Sequence, residues 1–462
     1  MPRNRKTAHK ANHQNQTEAR LNSAQAELIP ILELVPIGDL KPSPKNPRTH
    51  SKKQIEQIKK SVLEFGFTSP ALIDENNRLL AGHGRVEAAK LAGLISIPCV
   101  RLTHMSEAQK RAYVIADNQL ALKAGWDEDF LAEELEALMG LEPGFDLSLT
   151  GFSIPEIDGL IAGHKPEKPG NPDDDVLPDP SQVPRRCKPG DIFQLGNRHR
   201  LICGDARDYN TVAALMDGEL ARMVFTDPPY NVPIAGNVGG LGQFKHGEFP
   251  MASGEMTKGE FTTFLKSSYT NLKAFSHVGS IHFICMDWRH MREMEEAADG
   301  IYSELKNLNV WVKQNAGMGS FYRSQHELIF VYKNGAAPHI NNFELGQHGR
   351  YRTNVWEYAG ATSFKANRLD ELALHPTVKP VQMLADAIKD VSGRGDIVLD
   401  LFGGSGSTLI AAHKTGRRGY LCEYDAHYCD KILARFEAFA HEDAELIACG
   451  LPSPIKTEGG DQ

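Results

Sequence analysis

The stretch from Ile397 to Ala412 constrains this chain more than any other. Ile397-Val398-Leu399-Asp400 is a short apolar run with β-branched residues, the pattern of a strand buried on both faces. Leu401-Phe402-Gly403-Gly404-Ser405-Gly406-Ser407-Thr408 follows, and Leu409-Ile410-Ala411-Ala412 opens a helix. A strand, a glycine turn and a helix N-terminus in that order build the nucleotide crevice of an open α/β sheet. Glycines there let the backbone close on a ligand and adopt positive φ. A second strand is read in Arg418–Glu423. Its terminal acid, Glu423, falls near the roughly 20-residue offset at which an acid meets ribose hydroxyls. The string lacks Gly-x-Gly-x-x-Gly and the lysine of a phosphate loop, which disfavours dinucleotides and triphosphates. An ordinary glycine turn is the competing reading, and the acid at the right offset weighs against it.

A second string lies upstream. Met223-Val224-Phe225 is another buried-strand candidate and runs into Thr226-Asp227-Pro228-Pro229-Tyr230. Pro228 and Pro229 remove two backbone donors and stiffen the turn, leaving carbonyls to accept hydrogen bonds. An exocyclic amino group on adenine or cytosine is a poor nucleophile, because its lone pair is delocalised into the ring. If Asp227 and the carbonyl of Pro228 accept its two protons, the nitrogen can pyramidalise and attack a methyl sulfonium in line. Tyr230 would offer a face for stacking an extruded base. The bland alternative, a strand-ending turn with a packed tyrosine, loses ground beside the glycine string.

From about Gly190 to Phe439 the chain resembles the amino-group DNA methyltransferases that use S-adenosyl-L-methionine, in the permuted order called the beta class. Gly190–Ala206 (GDIFQLGNRHRLICGDA) is similar to the family's opening hairpin, with Asp205 matching an acid near the donor's adenine ring. His326–Gly335 (HELIFVYKNG) resembles a later core strand. His375–Pro380 (HPTVKP) resembles the segment ahead of the glycine loop. The resemblance implies a Rossmann-like α/β sheet. It assigns donor binding to Asp205, Thr377, Lys379, Asp400, Phe402, Gly403, Gly404, Gly406, Thr408 and Glu423, and base activation to Asp227, Pro228, Pro229 and Tyr230. Within the family, Asp at the head of the four-residue motif accompanies adenine more often than cytosine, so adenine is favoured and cytosine stays open. Carbon methylation would need a Pro-Cys nucleophile; only Cys99 follows a proline, in a different region.

The N-terminal third reads as a separate α+β unit. Ser51 to Gln54 has the form of a capping box ahead of a helix with Ile55, Ile58, Val62 and Phe65 on one face, closed by Gly66. Strands are expected at Pro70–Ile73, Leu79–Gly82 and Ile97–Arg101, with a turn at Asn76-Asn77 and a helix over Val86–Leu91. Leu40–Arg48, Ala81–Gly93 and Ala116–Gln119 carry a resemblance to the ParB N-terminal (sulfiredoxin-like) domain. It implies a phosphate site on Gly82 and Arg85, and an acid–Asn pair at Asp117 and Asn118. Gly-His-Gly-Arg stands where partition proteins have Gly-Glu-Arg-Arg, so a DNA-docking or scaffolding role is preferred to nucleotide turnover.

Composition sets the remaining boundaries. Residues 1–33 read as a basic disordered tail, 34–126 as the ParB-like domain and 127–163 as a helical extension. The proline-rich stretch 164–189, with Asp173-Asp174-Asp175, reads as a linker, 190–441 as the methyltransferase domain and 442–462 as a disordered tail. Net charge is −8, so DNA binding must rest on local fields. Arg350, Arg352, Lys365 and Arg368, interleaved with Tyr351, Trp356, Tyr358 and Phe364, combine charge with stacking faces and are the candidate DNA contacts. The glycine-rich stretch after Tyr230 is a second candidate. Double-stranded DNA is the expected partner, a homodimer is an open option, and a restriction endonuclease partner is unknown. The seven cysteines show no paired ligand spacing, so no metal is expected. No signal peptide or membrane-length apolar run is seen, and a cytoplasmic location with reduced thiols is expected. His282 and Cys285 are read as core residues.

Overall fold

The structure is a computed structural model that describes residues 32–44, 48–141, 145–162, 172–179, 181–232, 252–313, 322–343, 352–358 and 378–450. These residues form two compact units. One runs to Glu133 and includes Asp146–Ser153, and the other takes Glu134–Phe145 and everything from Ile154 onward. The division cuts through the stretch expected as a single helical extension.

In the first unit, strands β1 (Leu32–Pro36), β2 (Ala71–Ile73), β3 (Leu79–Ala81) and β4 (Ser96–Arg101) form a sheet in the order β1-β4-β2-β3. Helices α1 (Lys52–Phe65), α2 (His83–Leu91) and α3 (Glu107–Leu122) belong to it. The Ser51 hydroxyl caps α1 by accepting from the Gln54 amide at 3.1 Å, and Gly66 ends it at φ 78°. Val35, Ile73, Val86, Ile97 and Cys99 pack into one core. The expected apolar face of α1 is narrower than its sequence suggests. Ile55 is buried, whereas Phe65 is 51% exposed. Helix α4 (Glu128–Leu141) spans the junction of the units.

Among the described residues, the second unit is built on a ten-stranded sheet. Its strands are β5 (Ile192–Leu195), β6 (His199–Cys203), β7 (Ala221–Thr226), β8 (Ser276–Met286), β9 (Glu304–Val312), β10 (His326–Lys333), β11 (Val355–Glu357), β12 (Ile397–Asp400), β13 (Arg418–Glu423) and β14 (Ala444–Ala448). Their order is β11-β9-β10-β8-β7-β12-β13-β6-β5-β14. The central run β8-β7-β12-β13-β6 is parallel throughout, and antiparallel pairs flank it at β10 and β5. The late strands β12 and β13 sit between the early strands β6 and β7. That permuted insertion brings the carboxyl end of β12 next to that of β7, where an open α/β sheet places its ligand.

Strand alternation fills both faces. Val224, Ile284 and Met286 point to one side, against α6 (Tyr209–Met216), α7 (Lys258–Ala274) and α8 (Met291–Ala298). Met223, Phe225, Phe283 and Cys285 point to the other, against α9 (Val381–Val391) and α10 (Ser407–Lys414). Helix α11 (Ala426–Ala440) covers β5 and β6 through Ile432, Leu433 and Phe436. Full burial of each such side chain stabilises by about 1.5–3 kcal/mol. His282 and Cys285 are both fully buried.

Two boundary expectations are corrected. The acidic run expected in a linker is fixed to the second unit: Asp175 Oδ1 accepts the Val381 amide at 2.9 Å at the start of α9, and Asp174 is ion-paired with Lys414. Arg435 also donates to the Asp174 carbonyl at 2.9 Å. The stretch expected as a tail from 442 includes β14, which pairs antiparallel with β5 and extends the sheet. Helix α5 (Ile154–Ala162) is held to the same unit by Asp158. That carboxylate accepts from Arg417 at 2.9 and 3.0 Å and from Arg394 at 2.9 Å.

Candidate active site

Both sequence strings begin at neighbouring strand tips. Thr226 closes β7 and Asp400 closes β12; the Thr226 hydroxyl donates to Asp400 Oδ1 at 2.8 Å. Asp400 Oδ2 accepts the Thr408 hydroxyl at 2.6 Å, and Oδ1 also accepts the Phe402 amide at 3.1 Å. Asp400 therefore fastens the start of the glycine turn to the start of α10 and to the next strand. Burial pushes its carboxyl up to about 7, against the pull of those hydrogen bonds.

The glycine turn is shaped by close packing. Gly406 has φ 80°, and a Cβ there would meet Ile432 of α11 at 3.3 Å; one at Gly403 would meet Ile432 at 3.1 Å. The positive φ at Gly406 and the close approach of Ile432 at both positions favour glycine here. Glu423, at the tip of β13, accepts the amides of Gly404 at 2.8 Å and Asp425 at 2.9 Å. Burial raises its carboxyl to about 7 against those two bonds. Asp205, just past β6, is held in a bidentate pair by Arg207, with Nη2 at 2.6 Å and Nε at 3.0 Å. Phe402 and Phe264 lie with ring centroids 5.9 Å apart. Two acids on adjacent strand tips, a glycine turn and an aromatic wall thus converge on one crevice. Arg435, which the sequence did not single out, braces it by donating to the Ser405 carbonyl at 2.8 Å.

Beside this crevice, the Asp227 carboxyl is 22% exposed and engaged twice. The Tyr230 hydroxyl donates to Oδ1 at 2.5 Å, and the Lys379 ammonium donates to Oδ2 at 2.5 Å. Lys379, expected among donor-binding residues, also lies 3.0 Å from Glu327 Oε2 and 3.3 Å from the Tyr230 hydroxyl. Glu327 Oε1 is ion-paired with Lys313. Burial, together with the charge of Glu327, raises Asp227 above the ordinary carboxylate range, although Lys379 pulls it down. Glu327 moves the other way. Burial would raise it, but Lys379 and Lys313 hold it at about 2. Two acids and two lysines thus balance in a largely dry site. Glu327 and Lys313 were missed; a carboxylate at the head of the apolar run Leu328–Tyr332 in β10 was the available signal.

Other candidates fall elsewhere. Arg352 is turned inward: its guanidinium donates to the Tyr358 hydroxyl at 2.7 Å, lies 2.9 Å from Asp390 and 3.2 Å from Asp386, and stacks over Trp356 at 4.7 Å. Trp356 is only 5% exposed. That pair is an internal brace, which corrects its expected role as a DNA contact. Arg350, Lys365, Arg368 and Thr377 lie outside the described residues, as does most of the glycine-rich stretch after Tyr230. In the ParB-like unit, Gly82 (φ 92°) starts α2 and Arg85 folds back to the Pro70 carbonyl at 3.3 Å. Asp117 and Asn118 lie on α3, and Asn118 Oδ1 accepts from Arg48 at 2.8 Å. Cys187, Cys203 and Cys429, far apart in sequence, bring their sulfurs within 4.8 Å of one another. Spacing gave no sign of this group. Backbone carbonyls of Lys188, Tyr424 and Glu423 sit 3.6–3.8 Å from the three sulfurs, an environment suited to S–H donors more than to metal-bound thiolates.

A glycine crevice at the switch point of a permuted sheet, with an Asp-Pro-Pro-Tyr turn on the adjoining strand, defines a class of group-transfer enzyme acting on an amino acceptor. The chain carries a DNA methylase domain, with a ParB N-terminal domain ahead of it. The DNA methylase model matches residues 221–434, the ParB N-terminal domain model 18–119, and a ParB-methyltransferase HTH domain model 129–189. The HTH match covers both the expected helical extension and the expected linker. Among similar proteins, the ParB-like nuclease domain-containing protein YnaK of Escherichia coli (strain K12) is 42% identical over 76 residues, 16% of this chain and 87% of its own. DNA adenine methyltransferase YhdJ of the same strain is 34% identical over 125 residues, 27% of this chain and 39% of its own. Type II methyltransferase M2.DpnII of Streptococcus pneumoniae is 28% identical over 257 residues, 52% of this chain and 91% of its own. The crystal structure of the M1.HpyAVI–SAM complex aligns with 51% of this chain and 98% of its own, at 16% identity and a TM-score of 0.35. Among the described residues, no helix is long and apolar enough to cross a membrane.

Proposed function

We propose that this chain transfers the methyl group of S-adenosyl-L-methionine to the exocyclic amino group of adenine within a specific sequence of double-stranded DNA. The Thr226–Asp400 hydrogen bond carries the reading, because it fixes the amino-activating turn to the donor loop. The residues of the crevice fit this donor. In this reading Glu423 would accept the ribose hydroxyls and Asp205 would face the adenine ring, and Leu401–Thr408 holds no cation that would call for phosphates.

Bound there, S-adenosyl-L-methionine supplies an electrophilic methyl group on a sulfonium. Asp227 and the Pro228 carbonyl accept the two amino hydrogens of the flipped base, which draws the nitrogen lone pair out of the ring. With that donor bound, Asp227 would take the proton that the amino nitrogen gives up on methylation and pass it on to water. Pro229 stiffens the turn and Tyr230 supplies a stacking face. Asp at the head of the motif, and likeness to a relative named for adenine, support adenine over cytosine. The N-terminal unit docks DNA, with Gly82 and Arg85 near a phosphate. A cytoplasmic location and a homodimer complete the proposal, the latter checked by light scattering.

The test is to incubate the protein with S-adenosyl-L-methionine and unmethylated duplex DNA, with structured RNA as competitor, then digest to nucleosides for mass spectrometry. N6-methyl-2′-deoxyadenosine from the DNA fraction supports the reading. N4-methylcytosine would overturn the choice of base, and methylated RNA alone the choice of substrate.

A further inference from the structure

The Lys379 ammonium occupies the place at Asp227 that an incoming amino group needs. Its nitrogen lies 2.5 Å from Asp227 Oδ2, hydrogen-bond contact for either an ammonium or an exocyclic amine. An amine that takes this contact has to displace the ammonium from it. A cation beside a nitrogen that becomes positive as it accepts a methyl group would also oppose the reaction. Lys379 has to leave Asp227, and the geometry supplies the destination. Glu327 Oε2 is already 3.0 Å from the same ammonium. The Tyr230 and Trp311 rings lie 5.6 and 5.9 Å from it and offer their faces to a cation. The other Glu327 oxygen is committed to Lys313.

We propose that Glu327 is a positioning residue which draws Lys379 off Asp227 when the base enters, so that the ammonium is a placeholder for the substrate amino group and the site stays charge-balanced throughout. The proposal rests on the methyltransferase reading. Base entry then exchanges one donor for another at Asp227 Oδ2, and the Lys379 charge moves to an acceptor already beside it. Burying an unpaired ammonium would be costly, and Glu327 removes that cost. Lys313 keeps Glu327 ionised at the same time, so the acceptor is always ready.

The test compares wild type with Glu327→Gln, Lys379→Met and the double variant, reading kcat and KM for duplex DNA against pH, with donor binding measured alongside as the check on folding. Glu327→Gln strands Lys379 on Asp227 and should lower kcat/KM for DNA by roughly 10²-fold with donor affinity kept. Its acid limb should move to lower pH, because Asp227 loses a negative neighbour. Lys379→Met should move that limb to higher pH, since Asp227 then faces Glu327 with no cation between them. The double variant removes one charge of each sign, and at alkaline pH it should exceed Glu327→Gln because nothing competes for Asp227. A Glu327→Gln enzyme with wild-type kcat/KM and pH profile, or a double variant no better than the single, overturns the proposal. Wild type that transfers no methyl group sinks the underlying reading instead.

Discussion

The Thr226 hydroxyl donates to Asp400 Oδ1 at 2.8 Å across the tips of two adjacent parallel strands. The donor loop and the acceptor turn are therefore one rigid object, although 174 residues separate them in the chain. Removing the hydroxyl as Thr226→Val should cost about 1–3 kcal/mol of stability, read from the urea midpoint. Donor affinity should fall in parallel. Unchanged stability and affinity would mean that strand pairing and packing hold the two motifs together without this bond.

Donor binding should depend on pH through Glu423. Its carboxyl is raised to about 7, and in the proposed role it would have to be ionised to accept two ribose hydroxyls. Donor affinity should then fall by about ten-fold per pH unit below 7, and Glu423→Gln should flatten that dependence while binding weakly throughout. Titration calorimetry across pH decides it. The sign for stability is opposite. Asp400 and Glu423 both bind a proton more tightly folded than unfolded, so their contribution is complete below about pH 4 and is lost as pH rises through about 7.

Asp158 ties α5 to the methylase sheet through the fully buried Arg417. Asp158→Ala leaves a buried guanidinium without its acid and should cost about 3–5 kcal/mol in chemical denaturation. Asp158→Asn keeps some of the hydrogen bonds and should cost less. A loss under about 1 kcal/mol, the range of exposed pairs, would show that the pair is solvated.

The glycine loop, the β7 turn and the N-terminal sheet were legible because their signals are local. Apolar runs of strand length, glycines where φ turns positive and a serine cap each act within a few residues. What failed depended on partners far away in the chain. Arg352 beside aromatics has the pattern of a nucleic-acid contact, yet a buried cation–π brace has the same pattern, and only Asp386 and Asp390 from α9 decide between them. Asp174 and Asp175 looked like solvated linker until Lys414, Arg435 and the α9 amide met them. β14 is a short edge strand whose pairing with β5 cannot be read from Ala444–Ala448 alone. Glu327 was visible only as an acid out of place in an apolar strand.

The most direct test of the central claim is modification-sensitive long-read sequencing of unmethylated genomic DNA treated with wild type or Asp227→Ala in the presence of S-adenosyl-L-methionine. The predicted result is N6-methyladenine at one recurring sequence with wild type. With the variant, which still binds the donor, the rate should drop by roughly 10²–10⁴-fold. Equal methylation by both proteins would contradict the role given to Asp227, and no mark from wild type would contradict the reaction itself.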